Sequence, residues 1–393
     1  MADGQQEGAS LPVPGGVGGM TFSPDSTTLA TIRDDGTTRL WDVDLYRQAG
    51  LPLTLPRGVY AEAFSPDGKT MATIDDNGIG LWNLASRQLS GPSMVTAAGD
   101  LDTQLIAFSP DDKTVAAAFG RDNVAGLWDA TSRQQIGKPL ASGFVSVMAF
   151  DPSGKILATA PLGNGPVRLW DVATQQQLGV PLAVHGQVLA LGFSPDGKTV
   201  FAAGGPEMDD GTWVRAWLVS SHAPTAGPFQ LPSFELAVFG AGGSIMATAG
   251  TDGTVRVWDP ATGAQIGTAF TTGSDFVKAM AFNPDGGLLA TAGSDSTVRL
   301  WDTDTGREIG PPMTPYIEDL QTLAFSPSGN TLATGGGSVQ VSTGPGGNGT
   351  IWLWDVAFPR DLLHAVCTLA GHPFTRQEWH KYIPSQPYQE VCA

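Results

Sequence analysis

The sequence predicts an all-β protein assembled from eight consecutive four-stranded units, and three observations carry that prediction. First, Trp-Asp or a near copy recurs at Trp41, Trp82, Trp128, Trp170, Trp217, Trp258, Trp301 and Trp354, with gaps of 41, 46, 42, 47, 41, 43 and 53 residues. Roughly 40 to 45 residues is the length of one four-stranded unit closed by such a dipeptide. Second, Phe-Ser-Pro-Asp or a relative of it alternates with the tryptophans, at Phe22, Phe64, Phe108, Phe150, Phe193, Phe239, Phe282 and Phe325. The copy at Phe239-Gly240-Ala241-Gly242 is degenerate, yet it keeps the phase. Third, 51 glycines and 29 prolines coexist with 41% apolar residues, which fits turns punctuating packed strands rather than disorder.

One unit shows how the elements follow. Val277 to Phe282 reads as an apolar strand, and Pro284-Asp285-Gly286 is turn chemistry. Leu288 to Ala292 is a second strand, and Asp295-Ser296 turns into a third, Thr297 to Trp301, which alternates apolar and polar residues. Asp304-Thr305-Gly306 then leads to a fourth, outer strand at Glu308-Ile309-Gly310. No single unit can bury its own faces, so the core must grow between neighbours around the array.

Composition narrows the function classes. A net charge of -17 repels nucleic acid and anionic membranes, and no Lys/Arg cluster offsets it, so neither is expected as a partner. No apolar run approaches the roughly 20 residues of a membrane span. Residues 1–9 are polar and acidic, without the pattern of a secretory signal, and are expected to be a flexible N-terminus; the chain is expected to be cytoplasmic.

The phased Phe and Trp motifs resemble the WD40-repeat family over residues 10 to 357. The resemblance implies an eight-bladed WD40 β-propeller, with a short α-helical C-terminal extension over residues 358–393. It also implies a ring closed by an N-terminal strand. Leu11-Pro12-Val13-Pro14 before Val17 matches Pro181-Leu182-Ala183-Val184 before Val188, so residues 10–14 are expected to complete blade eight. The family often carries a Gly-His pair whose His joins a buried hydrogen-bonded chain to the Trp. Here only His185 stands near that place, so most units are expected to hold their Trp by packing alone.

Catalytic signals are sparse. Gly192 to Thr199 satisfies the phosphate-loop pattern, but the same segment is the strand-turn-strand of every other unit, so the match is a coincidence of the repeat. No HExxH, GxSxG or paired CxxC occurs, and the acids sit at turn positions that the repeat explains. No cofactor or metal is expected.

Comparing the units with one another points to a binding site. The fifth residue before each motif Phe is nearly always apolar: Val17, Val59, Thr103, Val145, Val188, Phe234, Val277 and Leu320. The fourth varies: Gly18, Tyr60, Gln104, Ser146, Leu189, Glu235, Lys278 and Gln321. Variation on a regular scaffold is where specificity is written, so this ring is expected at the central channel or its mouth. Phe144, Phe234, Phe276 and Tyr316, with Ile317, Asp275, Glu318 and Asp319, are further mouth candidates. Insertions at Gly204 to Gly211 and Gly335 to Gly349 deepen the same rim. Aromatic anchors ringed by charge suit a protein or peptide partner; aromatics that fold inward as strand caps are the competing reading.

After Asp355 the strand rhythm stops. Asp361 to Ala370 reads as a helix, and Thr375-Arg376-Gln377-Glu378 is a capping box that starts a second. Cys367 and Cys392 both lie here, a possible disulfide. His364 and Cys367 on one helix face offer a zinc reading, but the spacing matches no zinc pattern. The tail resembles a helical end-piece that follows WD40 arrays in bacterial STAND-type signalling NTPases, carried by Cys367, Ala370-Gly371, Thr375, Glu378-Trp379, Tyr382, Pro384, Pro387-Tyr388 and Cys392. That resemblance implies a sensor, either stand-alone or excised from a larger protein. The expected function is therefore a non-catalytic interaction or sensor module that binds a protein or peptide at the channel mouth. The alternative is an enzyme or small-molecule binder in a bacterial biosynthetic or signalling pathway, with Tyr60, Glu235 and Lys278 as its ionisable trio.

Overall fold

The computed structural model describes residues 11–14, 17–33, 38–43, 47–48, 59–75, 78–83, 85–86, 88–94, 105–119, 124–205, 211–225, 229–314, 320–337 and 348–356. These form eight antiparallel sheets of three or four strands, with a single 3-10 turn, Ala241–Gly243, as the helical content among the described residues. Numbered by sequence, sheets one to eight begin with the strands Val17–Phe22, Val59–Phe64, Leu105–Phe108, Val145–Phe150, Gln187–Phe193, Leu236–Gly240, Val277–Phe282 and Leu320–Phe325. Within each sheet the strands follow sequence order. Sheet eight adds one from far away: Leu11–Pro14 pairs with Asn348–Asp355 in the register Leu11 to Ile351 and Pro14 to Asn348.

Each first strand touches the first strands of the sheets before and after it, and that of sheet eight touches that of sheet one. The core has the same circular order. Eight buried clusters each draw on two consecutive sheets; Leu353 of sheet eight, for example, joins Val17, Leu29 and Trp41 of sheet one. Apolar burial between sheets, not within them, is thus the main stabilising term.

The Phe motif supplies a capped turn. In the Ser copies the hydroxyl accepts the N–H five residues on: Thr28 to Ser23 at 2.9 Å, Thr70 to Ser65 at 3.0 Å, Thr114 to Ser109 at 2.9 Å, Thr199 to Ser194 at 2.9 Å and Thr331 to Ser326 at 3.0 Å. Where Ser is replaced, a side-chain oxygen still reaches: Ile156 donates to Asp151 at 2.7 Å and Leu288 to Asn283 at 2.8 Å. The degenerate copy has no such acceptor. There the chain turns through Ala241, Gly242 and Gly243 at φ 46°, 63° and 86°, and a Cβ at Gly243 would strike the Phe193 carbonyl.

Three expectations are corrected. The tryptophans are not held by packing alone: Nε1 of Trp41, Trp82, Trp170, Trp258, Trp301 and Trp354 donates to the hydroxyl of Thr31, Thr73, Thr159, Thr248, Thr291 and Thr334 at 2.9–3.1 Å. The paired Thr stands on the second strand, so the bond ties two strands of one sheet. His185 is exposed and joins no buried chain. Finally, sheets three and seven have three strands, not four. Their outer runs keep only isolated bridges, such as Trp301 with Glu308 and Val298 with Met313. Between those two bridges lie Pro311 and Pro312, which have no N–H to give a ladder.

Gly192 to Thr199 is strand, turn and strand, with Lys198 paired to Asp196 at 3.1 Å and no helix following. The phosphate-loop geometry is absent there. The helical reading of residues 358–393, the Cys367–Cys392 pairing and the 1–9 terminus lie outside the described residues.

Candidate functional site

The variable ring has one backbone cause. In six of the first strands the cross-strand register slips by one residue, a β-bulge, and the extra residue is Gly18, Tyr60, Ser146, Leu189, Lys278 or Gln321. In sheet six Leu236 pairs with Ala249 while Glu235 donates its N–H to the same Ala249 carbonyl at 2.9 Å, which is the same two-against-one arrangement. Gln104, the eighth member, lies outside the described residues. A bulge leaves its extra residue out of the ladder and re-aims its side chain; Leu189 still packs against the core between sheets five and six, and Ser146 and Lys278 are half-buried. At the preceding position Val17, Val145, Val188 and Phe234 are buried.

Phe234 is accordingly corrected as a mouth anchor. It occupies the packing position, is 4% exposed, and joins Ala203, Val214, Leu231, Ala237, Met246 and Trp258 in the core between sheets five and six. Phe276 stands one position earlier in its unit and is 45% exposed. Phe144, at the equivalent place in sheet four, is half-buried. Its carbonyl accepts the N–H of Leu162 at 2.8 Å, bringing in a residue that sequence reasoning missed and that is 53% exposed. The signal was available: Leu162 opens a turn, Leu162-Gly163-Asn164-Gly165, with no buried face to fill. Tyr316, with Ile317, Glu318 and Asp319, lies outside the described residues, as do the tips of both insertions.

The carboxylates near sheets six and seven differ in character. Glu235 and Asp275 are exposed, whereas Asp295 is engaged by Arg299 at 3.6 Å and accepts the Thr297 N–H at 3.0 Å. Arg299 also meets Glu308 at 3.1 Å. Lys278 is half-buried. Ser146 has a buried hydroxyl without a hydrogen-bond partner among the described residues. Of the ionisable trio, Glu235 and Lys278 sit at the starts of first strands that touch. Tyr60 belongs to a strand that touches those of sheets one and three. Among the described residues no group of His, Cys, Asp and Glu could hold a metal, and no helix is long and apolar enough to cross a membrane.

The acids at the opposite end of the strands are structural. The Lys69 ammonium and N–H and the Ser65 hydroxyl lower Asp67 to about 2. The Ser194 hydroxyl, followed by Lys198, does the same to Asp196, again to about 2. Asp129 and Asp171, from the Trp-Asp dipeptides, are lowered by bonds from Ser132 and Thr174 in the turns they cap. None of these is poised to give or take a proton near neutral pH.

Comparison with known proteins agrees with this architecture. A search of curated proteins by sequence found no match. Among solved structures, the crystal structure of the computationally designed Ika8 protein superposes with a TM-score of 0.66 at 20% identity, covering 90% of this chain and 100% of that one. At that identity the likeness concerns the fold alone. The family model described as WD domain, G-beta repeat matches residues 7–42, 235–259 and 264–302, which take in most of sheet one and all the strands of sheets six and seven. Three segments of this chain thus match the WD40 repeat model, and WD40 repeats generally mediate contacts between proteins.

Proposed function

We propose that the chain is an eight-bladed propeller that acts as a non-catalytic interaction or sensor module, with a protein or peptide partner bound at the mouth where the first strands begin. The observation that carries this reading is the ring of bulges. Seven units put a residue of different chemistry at one backbone irregularity, among them Ser146, Leu189, Glu235 and Lys278. Bulges concentrate next to functional sites because they free a side chain from the sheet. Exposed Phe276 and Leu162 and half-buried Phe144 add apolar surface at the same end. The ladder between Leu11–Pro14 and sheet eight supports residues 10–14 as the strand that completes blade eight. Removing residues 1–15 is then expected to lower the melting temperature; an unchanged melt would remove that part of the reading.

The test of the function is capture from native extract on the unaltered chain, on a Glu235→Lys, Phe276→Ala variant, and on a control altered at the opposite turns, Lys69→Ala. A protein kept by the first and third and lost by the second supports the mouth. A retained metabolite without a protein brings forward the small-molecule reading.

A further inference from the structure

A second surface lies away from the mouth, on the outer side of sheets four and five, and it starts from one broken dipeptide. The residue after each repeat Trp is Asp42, Asn83, Asp129, Asp171, Leu218, Asp259, Asp302 and Asp355. Asp129, Asp171, Asp259 and Asp302 cap the following turn: Asp171 accepts the Thr174 N–H at 2.7 Å, Asp302 that of Thr305 at 2.8 Å. Leu218 can cap nothing and is 40% exposed. The turn is kept by its backbone, with the His222 N–H donating to the Leu218 carbonyl at 2.8 Å. Replacing a capping acid with an exposed leucine loses a stabilising bond and adds apolar surface to water. Nothing inside sheet five gains from it.

The neighbouring sheet supplies the rest of the patch. His222 reaches across to sheet four, where its Nδ1 lies 3.0 Å from the Val180 carbonyl. Val180 is 69% exposed on the outer strand Gln177–Leu182. Two of the four large apolar residues that stand exposed among the described ones thus bond the same histidine through their carbonyls. The two runs that carry these residues are also without charge, and Arg215, just before the second, donates to the Ala183 carbonyl at 3.1 Å at their edge. Residues 172–195 and 216–234 contain no Asp, Glu, Lys or Arg, in a chain of net charge -17.

We propose that this patch is a self-association surface, occupied by the same patch of a second copy related by a two-fold axis. A second copy is as acidic as the first, so approach through carboxylate-bearing surface is opposed by like charge, and the two runs that carry Val180 and Leu218 hold no carboxylate. An apolar patch is complementary to itself, which a two-fold contact requires and a singly charged surface fails. The contact is made by side chains rather than by strand addition. Pro181 offers no N–H, and Gly179, at φ 55°, breaks the regular edge of the outer strand.

Sedimentation velocity over about 5 to about 500 µM tests this, a range suited to the weak contact expected of a small patch. The unaltered chain is expected to move from monomer towards dimer with concentration, and more readily in high salt, where the remaining repulsion is screened. Leu218→Asp and Val180→Asp are each expected to weaken association by about tenfold or more. Leu218→Asp restores the repeat's own acid, so its melting temperature should hold or rise, which separates loss of the dimer from loss of the fold. The Glu235→Lys, Phe276→Ala mouth variant should associate like the unaltered chain. A chain that stays monomeric throughout, or patch variants that associate undiminished, would overturn the proposal.

Discussion

The two ends of the first strands obey different rules. At the turn end, seven of the units use a side-chain oxygen to accept an N–H five residues on, whether that oxygen comes from Ser23, Asp151 or Asn283. At the mouth end the backbone repeats its bulge just as faithfully, yet the residue at the bulge is Tyr60 in one unit, Leu189 in another and Lys278 in a third. The turn end is constrained because a buried N–H left without an acceptor costs about 1–3 kcal/mol. The bulge residue is left out of the cross-strand pairing, and its chemistry differs from unit to unit, although Leu189 still packs against the core between sheets five and six. Repetition in this molecule therefore marks stability, and its failure is where the proposed contacts are placed.

The largest expected effect tests that division directly. Trp301 packs against Phe270 with ring centroids 4.2 Å apart and donates to Thr291 at 2.9 Å. Trp301→Ala should lower stability by about 3–5 kcal/mol, the range for deleting a buried aromatic. Glu235→Lys at the mouth should shift it by less than about 0.5 kcal/mol. Urea denaturation of both reads the contrast directly. A mouth substitution as damaging as the Trp one would erase the distinction between the two ends.

Smaller, and sharper, is the bond itself. Thr291→Val keeps the shape and removes the acceptor, stranding the Trp301 N–H in a buried site at about 1–3 kcal/mol. Sheets three and five carry Ala117 and Ala202 where the others carry Thr, so restoring Thr at Ala202 asks whether the bond is worth having in every unit. An unchanged midpoint for Thr291→Val would leave the Trp to packing after all.

That bond also shows what could be read in advance. The period of Trp and Phe, the unit count and the strand order were legible because each is a spacing along the chain. The Thr partners stand in the sequence too, as Ala30-Thr31, Ala72-Thr73, Ala158-Thr159, Ala247-Thr248, Ala290-Thr291 and Ala333-Thr334, but nothing local to a Thr marks it as the acceptor of an indole N–H on the next strand. The variable ring was visible as irregularity, whereas its cause, a register slip, exists only between strands. Phe234 suggests an anchor because it is aromatic. Its column of Val17, Val145 and Val188 already placed it in the core.

Column logic gives the next prediction in size. Thr38 occupies a column otherwise held by Ile79, Ala125, Val167, Val214, Val255, Val298 and Ile351. It is fully buried, and its hydroxyl has no hydrogen-bond partner among the described residues. Thr38→Val should therefore raise stability by about 1 kcal/mol, since a buried hydroxyl without a partner is costly and the shapes match. A fall in the thermal midpoint would show that the hydroxyl is satisfied.

The smallest effect is a titration at the turn end. Asp196 is lowered from 3.8 to about 2, chiefly by the Ser194 hydroxyl, which donates to it at 2.7 Å. A depressed folded-state value means that the stability it contributes is present above the unfolded value of 3.8 and is lost as pH falls from there towards about 2. Ser194→Ala removes the largest cause, so the Asp196 carboxylate should titrate closer to 3.8 by NMR, with Lys198 still holding it partly down. The same change strips the acceptor from the Thr199 N–H and so lowers stability at every pH. What distinguishes the electrostatic part is the slope: the variant should lose less additional stability between pH 4 and pH 2 than the native chain, because its carboxylate has less of a shift to surrender. Parallel curves through that window would mean that the turn end is held by backbone geometry, as the acceptor-free turn at Gly240-Ala241-Gly242 already manages in sheet six.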